Sequence, residues 1–350
     1  MILHNGIAQA LIAAVLFGVS TPIAKALVGG MQPLILAGLL YLGSGIGLAL
    51  WRQRSRFGAA PNSATPLVKH DLPWLAGAVI AGGIGAPALL MWGLQSTQGA
   101  TASLLLNLEG VFTALLAWFV FHENFDRRIA LGMLFIVAGG VLLAWQPGAA
   151  FSLPWGALAI IGACLLWGID NNLTRNIAAS DATQIAMIKG LAAGATNLTL
   201  GLLLGGQLPS ASVILGAGIV GLLGYGISLV LFVVALRQLG SARTGAYFSI
   251  APFAGALLAF PLLGETPGLA FWPATALMAI GVWLHVSERH AHDHTHERLQ
   301  HSHRHVHDAH HQHLHDAADS GTKPHTHEHV HTPITHSHHH FPDTHHRHRH

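Results

Sequence analysis

The sequence predicts an all-α polytopic membrane protein, with about ten transmembrane helices as two inverted five-helix repeats and a disordered histidine-rich C-terminal tail. Three observations lead to this fold class. Of the 350 residues, 51% are hydrophobic and only 9% are charged, whereas a soluble domain carries about 25% charged residues to cover its surface. The apolar residues form ten stretches of membrane-crossing length. Two parts of the chain are also similar to each other.

Ten apolar stretches have the length of a membrane-crossing helix, about 17–25 residues for a hydrocarbon core of about 30 Å. The first stretch has no charged segment before it, so it is interpreted as a helix and not as a cleavable signal. Short turns, often with proline or glycine, join most of the stretches. They fall near 6–28, 33–51, 73–94, 101–121, 129–146, 155–177, 182–204, 211–236, 243–263 and 268–287.

The basic residues lie in alternate loops, and this pattern predicts the orientation of the chain. Because loops rich in Lys and Arg stay in the cytoplasm, we expect a multi-pass protein of the inner membrane with both termini cytoplasmic. The histidine-rich tail is then cytoplasmic as well. The loops in question carry Arg52, Arg54, Arg56 and Lys69, then Arg127 and Arg128, then Arg175, then Arg237 and Arg243.

Two alignments of the chain with itself indicate an internal duplication. At a shift of 142 residues, Ala114–Ala117 and Ala256–Ala259 both read Ala-Leu-Leu-Ala, and Glu123 falls on Glu265. Five helices in each half is an odd number, so the second half enters the membrane from the opposite side, as in many secondary transporters. At a shift of 150, the matches are Phe17-Gly18 with Trp167-Gly168 and Lys25 with Arg175.

The predicted domains are a first repeat at residues 1–146, a second repeat at 147–287 and the tail at 288–350. The five-plus-five spans, the Phe/Trp-Gly sequence and the Ala-Leu-Leu-Ala run into a terminal Glu resemble the drug/metabolite transporter superfamily, in its EamA-type branch. The resemblance covers about residues 6–287. It implies a helical secondary carrier of small metabolites without ATP-binding machinery, and the sequence contains no Walker-type phosphate-binding motif.

Polar residues inside the apolar stretches predict a central site, because charges at membrane depth usually face a cavity or a partner. Glu109 lies about 12 Å from the outer end of the fourth stretch at about 1.5 Å per residue. It follows Asn107 and precedes Gly110, which the shift of 142 places on Pro252. Residues that loosen a helix thus occupy matched points in both halves. Glu109 is either a proton-coupling or cation-binding carboxylate, or a structural partner, for instance of Lys25.

A second polar group is predicted in the hairpin of the sixth and seventh stretches. Asp170 and Lys189 fall at similar depth, which predicts a buried ion pair. The run from Asp170 through Asn171 to Asn172 has more polar groups than packing requires, so part of it is expected to face substrate.

Glycines interrupt the third and eighth stretches, and the shift of 142 places Gly82 on Gly224. This pattern fits either flexible helices in an alternating-access carrier or close helix packing.

The tail predicts metal binding. It holds 24 of the 28 histidines, all but His4, His70, His122 and His285. With few apolar residues it cannot bury a core, and we expect it to be disordered. Imidazole is a common ligand for zinc, nickel, cobalt and copper, although protonated histidines would also sense pH or bind anions. The predicted metal ligands are His290, His292, His294, His296, His301, His303, His305, His307, His325, His327, His329 and His331.

The sequence therefore predicts a secondary transporter, an exporter of a small metabolite, with a metal-binding cytoplasmic tail and no enzymatic activity. The alternatives are a divalent metal-ion (Ni, Co or Zn) exporter and a non-transporting membrane metal sensor or buffer. No cofactor is expected to be required, and the tail is expected to bind a divalent metal (Zn, Ni, Co or Cu). The expected partners are a small-molecule or ion substrate and the lipid bilayer, not nucleic acid, and a homodimer is left open.

Overall fold

The fold is that of a computed structural model. The structure describes residues 2–29, 31–56, 67–121, 127–144, 154–178, 180–239, 241–286, 291–296, 299–305, 325–331 and 334–339.

Helices account for nearly all of the described chain before the tail. The first half contains α1 (Ile2–Val28), α2 (Pro33–Arg56), α3 (Leu72–Ala78), α4 (Ala86–Ser96), α5 (Gly99–Leu105), α6 (Leu108–Phe121) and α7 (Arg127–Ala144). The second half contains α8 (Trp155–Arg175), α9 (Ala182–Leu203), α10 (Ala211–Val220), α11 (Ser228–Leu239), α12 (Ser241–Phe248), α13 (Ala251–Leu263) and α14 (Phe271–Val286). A 3₁₀ turn at Lys69–Asp71 precedes α3.

Eight helical stretches of the described residues are long and apolar enough to cross a membrane. They are Gly6–Val28, Pro33–Gln53, Lys69–Ser96, Gly99–Val120, Arg127–Ala144, Trp155–Arg175, Ala182–Leu203 and Ala211–Ala235. These eight correspond to the first eight predicted spans, so the chain is a multi-pass membrane protein.

The ninth and tenth predicted spans contain shorter apolar helices, α13 with 13 residues and α14 with 16. A turn at Ser249–Ile250 divides the ninth stretch, and residue 287, the last of the tenth, lies outside the described part of the chain.

Large apolar side chains point outward from these helices. Leu134 is 64% exposed, Leu215 67% and Leu257 68%. Such surfaces are unfavourable in water when they are extensive, but they suit contact with lipid tails. The inner faces form a common core of both halves, in which Leu40, Leu90 and Ile185 are fully buried.

Irregular helix geometry occurs at matched positions in the two halves. A π-helical segment at Val79–Gly85 joins α3 to α4, and another at Gly221–Ile227 joins α10 to α11. The shift of 142 places the first segment on the second, residue for residue. The breaks at Leu106–Asn107 and Ser249–Ile250 also agree, to within one residue. The sequence predicted a glycine-rich interruption at the first pair, but not its π-helical form.

Glycines allow close packing between the halves, as at α7 and α14. A Cβ atom on Gly139 would lie 2.9 Å from the carbonyl oxygen of Ala274, and one on Gly281 would lie 2.5 Å from that of Gly132. The shift of 142 converts one of these contacts into the other. The two contacts therefore follow an approximate two-fold relation between the helices.

The described parts of the tail form strands. They are β1 (Ala291–His296), β2 (Leu299–His305), β3 (His325–His331) and β4 (Ile334–His339). β1 pairs antiparallel with β4, and β2 with β3. These segments differ from the predicted disorder because alternating histidine has the two-residue period of a strand, and the intervening Thr, Val and Ile favour strands. For the rest of the tail, which lies outside the described residues, disorder stays a prediction.

Candidate functional site

Glu109 lies next to a break in its helix. α5 and α6 are separated by a turn at Leu106–Asn107, where the N–H of Asn107 donates to the carbonyl of Leu104, three residues back, at 3.0 Å. The amide Nδ2 of Asn107 donates to the same carbonyl at 3.1 Å, and such local side-chain bonds compete with the helix. Glu109 is the eleventh of the 22 residues of the span Gly99–Val120. It therefore lies at the middle of this apolar span.

An amide from α8 holds the Glu109 carboxylate. Nδ2 of Asn171 donates to Oε1 of Glu109 at 2.8 Å and to Oγ1 of Thr113 at 3.2 Å. The hydroxyl of Thr113 in turn donates to the backbone carbonyl of Glu109 at 2.8 Å. Glu109 and Asn171 are both half-buried, and Gly110 beside them is exposed. A polar group that is accessible at mid-membrane depth is what a translocation site requires.

Asp170 and Lys189 form an ion pair between α8 and α9. Nζ of Lys189 lies 2.6 Å from Oδ1 and 2.7 Å from Oδ2 of Asp170, and the two side chains are only 5% and 9% exposed. Thr174 adds a hydrogen bond of 2.9 Å to Oδ1 of Asp170. The pair satisfies both of its charges internally, which is the condition for keeping charged groups in an apolar bundle.

The first π-helical segment packs directly against this pair. A Cβ atom at Gly82 would collide with the Asp170 carboxylate. The Gly82 carbonyl accepts hydrogen bonds from the Tyr41 hydroxyl at 2.8 Å and from Nε1 of Trp167 at 3.1 Å. The Gly83 carbonyl accepts from Nδ2 of Asn197 at 3.0 Å. Side chains of three helices thus bond to backbone carbonyls of the π-helical turn.

Six aromatic rings form a connected group beside these residues, which we call the aromatic cluster: Phe17, Tyr41, Trp167, Tyr225, Phe232 and Phe248. The Phe17 ring meets Trp167 edge to face at a centroid distance of 5.8 Å. Its centroid lies 5.9 Å from that of Tyr225 and 5.5 Å from that of Phe248. Phe17 and Trp167 are the residues that the shift of 150 relates, so matched positions of the two halves meet here.

The other predicted site residues lie apart from Glu109. Asn107 approaches the sulfur of Met278 on α14, with Nδ2 at 3.7 Å. Pro252 is the second residue of α13, the helix that packs against α1. Lys25 does not pair with Glu109, because its Nζ donates to the carbonyl of Leu94 near one end of the bundle.

Sequence reasoning missed Thr113, Thr174 and Trp167. Each threonine follows an acidic residue by four positions, the spacing that places two side chains on one face of a helix. That signal was available. The contact of Trp167 is with a carbonyl of the π-helical turn. The run of glycines in the sequence does not predict the geometry of that turn.

The predicted metal ligands are all in the tail. His290 and His307 lie outside the described residues, and for the other ten only the backbone of the strands is described. Among the described side chains, no group of three or more His, Cys, Asp and Glu residues is close enough to hold a metal ion. The metal-binding tail stays a prediction.

Comparison with known proteins identifies the kind of protein that this chain resembles. The model of the EamA-like transporter family matches it twice, at residues 4–145 and 154–287. An uncharacterized transporter of Methanothermobacter thermautotrophicus is 26% identical over 286 residues, 78% of this chain and 83% of the relative. The uncharacterized inner membrane transporter YedA of Escherichia coli K12 is 24% identical over 260 residues, 72% and 81% of the two chains.

A shorter relative and a solved structure complete the comparison. The probable 4-amino-4-deoxy-L-arabinose-phosphoundecaprenol flippase subunit ArnE of Pseudomonas paraeruginosa is 40% identical over 114 residues, 32% of this chain and 96% of ArnE. A protein crystal structure with 20% identity superposes with a TM-score of 0.60 over 80% of this chain and 96% of the other. At that identity the likeness concerns the fold alone.

Proposed function

Since the chain belongs to the EamA-like transporter family, we propose that it is a secondary transporter that exports a small metabolite across the inner membrane. The observation that carries this proposal is the half-buried Glu109, beside a helix break at the middle of its span and bonded to Asn171 of the other half. Secondary transporters bind their substrates and coupling ions at such broken helices near the midplane.

The proposal includes two inverted five-helix repeats at residues 1–146 and 147–287, with both termini in the cytoplasm. The double match of the family model supports the division. The π-helical segments at Val79–Gly85 and Gly221–Ile227 support it independently, because they occupy the same place in each half. In an inverted repeat, movement of one half against the other exposes a central site to each side in turn.

In this mechanism the two charged groups have different tasks. The Asp170–Lys189 pair is fixed and closed, so it joins α8 to α9 while the halves move. Glu109 is the group whose charge changes, because an unbalanced carboxylate at mid-membrane is costly. A proton or a bound cation removes that cost. The central site then changes readily from exposure on one side of the membrane to exposure on the other only when Glu109 is neutralised.

The tail is proposed to bind divalent metal and either to capture cargo or to regulate transport. Its 24 histidines support metal binding. Metal export and metal sensing without transport are rival functions, and the experiment below separates them.

Flux through the purified protein in proteoliposomes tests the proposal, with solutes chosen by a growth screen of a deletion strain. Metabolite flux should survive deletion of residues 288–350. In Glu109→Gln, flux driven by an ion gradient should be lost, because the permanently neutral side chain binds neither a proton nor a cation. Glu265→Gln is the matched control, since it makes the same change at a span end and should keep the flux.

Other outcomes would replace the proposal. Zinc or nickel efflux that disappears on deletion of the tail alone would identify a metal exporter. Tight metal binding without flux of any solute would identify a sensor or buffer.

A further inference from the structure

Resting on the proposed transport function, we infer the class of cargo: a small cationic amine with an apolar body. Its ammonium group would bind the Glu109 carboxylate, and its apolar part would lie against the aromatic cluster. The inference follows from the balance of charge in the central site, from the carboxylate oxygen of Glu109 that can accept further hydrogen bonds, and from the aromatic cluster.

The positive charge of Lys189 is already neutralised by Asp170. Lys189 contacts both carboxylate oxygens of Asp170, at 2.6 and 2.7 Å, and both side chains are buried. Because Thr174 completes the group, the pair has no net charge to offer. This pair therefore offers no free positive charge to an anionic cargo.

Glu109 is held by neutral groups and retains binding capacity. Oε1 accepts the amide of Asn171 at 2.8 Å, while the Thr113 hydroxyl donates to the backbone carbonyl of Glu109 and not to its carboxylate. Among the described residues, no donor contacts Oε2. A carboxylate oxygen can accept charge-assisted hydrogen bonds from an ammonium group, which are among the stronger ones in proteins.

The aromatic cluster reaches the site through α8, the helix whose Asn171 holds the Glu109 carboxylate. Trp167 precedes Asn171 by four residues, so their side chains lie on one face of α8. From Trp167 the aromatic cluster continues through Phe17 to Phe248, and these two phenylalanines are only half-buried. Aromatic faces attract ammonium groups and also bury apolar surface. They would repel an anion, as Glu109 would.

Isothermal titration of the purified full-length protein with three matched probes tests the inference. Phenethylamine, 3-phenylpropionamide and 3-phenylpropionate share a phenyl ring and a short chain but differ in charge. Phenethylamine is expected to bind at least about tenfold more tightly than the neutral amide, because hydrogen bonds to charged groups are stronger than those between neutral groups. The carboxylate probe should show no saturable binding.

Variants assign the effect to residues. Glu109→Gln should weaken phenethylamine binding at least about tenfold, whereas Glu109→Asp keeps the charge and should retain measurable binding. Phe17→Leu should weaken it about two- to fivefold, the range of an exposed cation–π contact. Glu265→Gln is the matched control and should bind as the wild type does.

Several results would overturn the inference. They are equal binding of the amide or the carboxylate probe, no saturable binding of phenethylamine, or unchanged affinity in a folded Glu109→Gln variant. If that variant fails to fold, the affinities of the three probes for the wild-type protein still test the inference. If phenethylamine fails while Glu109-dependent metabolite flux is present, only the cargo class is wrong. If phenethylamine binds but no solute moves, the transport function is wrong and the cation site stands.

Discussion

At the scale of single residues, Asp170 and Glu109 show two ways of keeping a carboxylate among apolar helices. Asp170 is paired with Lys189 and nearly excluded from solvent. Glu109 is half-buried and bonded through one oxygen to an amide. The first arrangement stabilises a contact between two helices. The second leaves a group whose charge depends on what binds to it.

Breaking the ion pair on one side should destabilise the protein strongly. Lys189→Met leaves the Asp170 carboxylate buried without its partner, and such losses cost about 3–5 kcal/mol. Thermal unfolding in detergent should show a large decrease in melting temperature.

The matched control for this change is the double variant Asp170→Leu with Lys189→Met. It removes both charges and should recover most of the stability, because apolar replacement of a buried pair is often nearly neutral. Equal melting temperatures of the single and double variants would show that the pair is not a coupled unit.

Gly82→Ala tests the contact between the π-helical segment and Asp170. The new Cβ collides with the carboxylate, so we expect a loss of about 1–3 kcal/mol, as for overpacking elsewhere. Gly216→Ala in α10 is the control, because nothing lies within 4 Å of its added Cβ. In a helix that change should stabilise by about 0.5–1 kcal/mol. Similar melting temperatures for the two variants would contradict the predicted contact.

The sequence predicts the depth of a polar residue in its span, but it does not predict which helix faces meet. The depths of Asp170 and Lys189 in adjacent spans predicted a pair, and the structure has that pair. The contact of Glu109 with Asn171 was not predicted. It depends on how α6 and α8 are rotated about their axes, and apolar sequence on every side of a membrane helix does not reveal that rotation.

At the scale of elements, a carboxylate from one half of the chain caps a helix of the other. Glu265, in the loop between α13 and α14, accepts the N–H groups of Gly99 at 2.6 Å and Ala100 at 2.9 Å. These groups begin α5 and have no partner within the helix. The sequence predicted only that Glu265 ends a span, since a cap supplied from a distant loop has no local signature.

Glu265→Ala should lower stability by about 0.5–2 kcal/mol, the usual cost of losing a helix cap. Glu265→Gln keeps one acceptor oxygen and should cost less. Thermal unfolding of the two variants measures the difference. If alanine is tolerated as well as glutamine, the cap does not contribute to stability.

The spans were easier to predict than the irregularities within them. The predicted stretch 182–204 agrees with α9 to within one residue, because length and hydropathy alone define such a helix. The π-helical turns and the breaks at Leu106–Asn107 and Ser249–Ile250 are defined by packing between helices. They could be expected at glycine-rich or proline-containing places, but their geometry could not.

At the scale of the whole molecule, the helical part and the tail are expected to be independent. Deletion of residues 288–350 should leave the melting temperature unchanged, because α1–α14 enclose the core. The full chain should bind nickel or zinc in isothermal titration, and the truncated chain should not. Magnesium is the control ion, since it prefers oxygen ligands. Metal binding by the truncated chain would place the metal site among the helices.

The two matched glycine contacts between α7 and α14 determine how these helices would respond to larger side chains. Gly139 meets Ala274 near one end of the contact and Gly281 meets Gly132 near the other, about 10 Å apart along the axis for seven residues of helix. A methyl group at one position alone would rotate one helix against the other. Methyl groups at both positions would translate the helices apart at a constant crossing angle. One added methyl group thus changes the tilt between the helices, whereas two matched methyl groups change their distance.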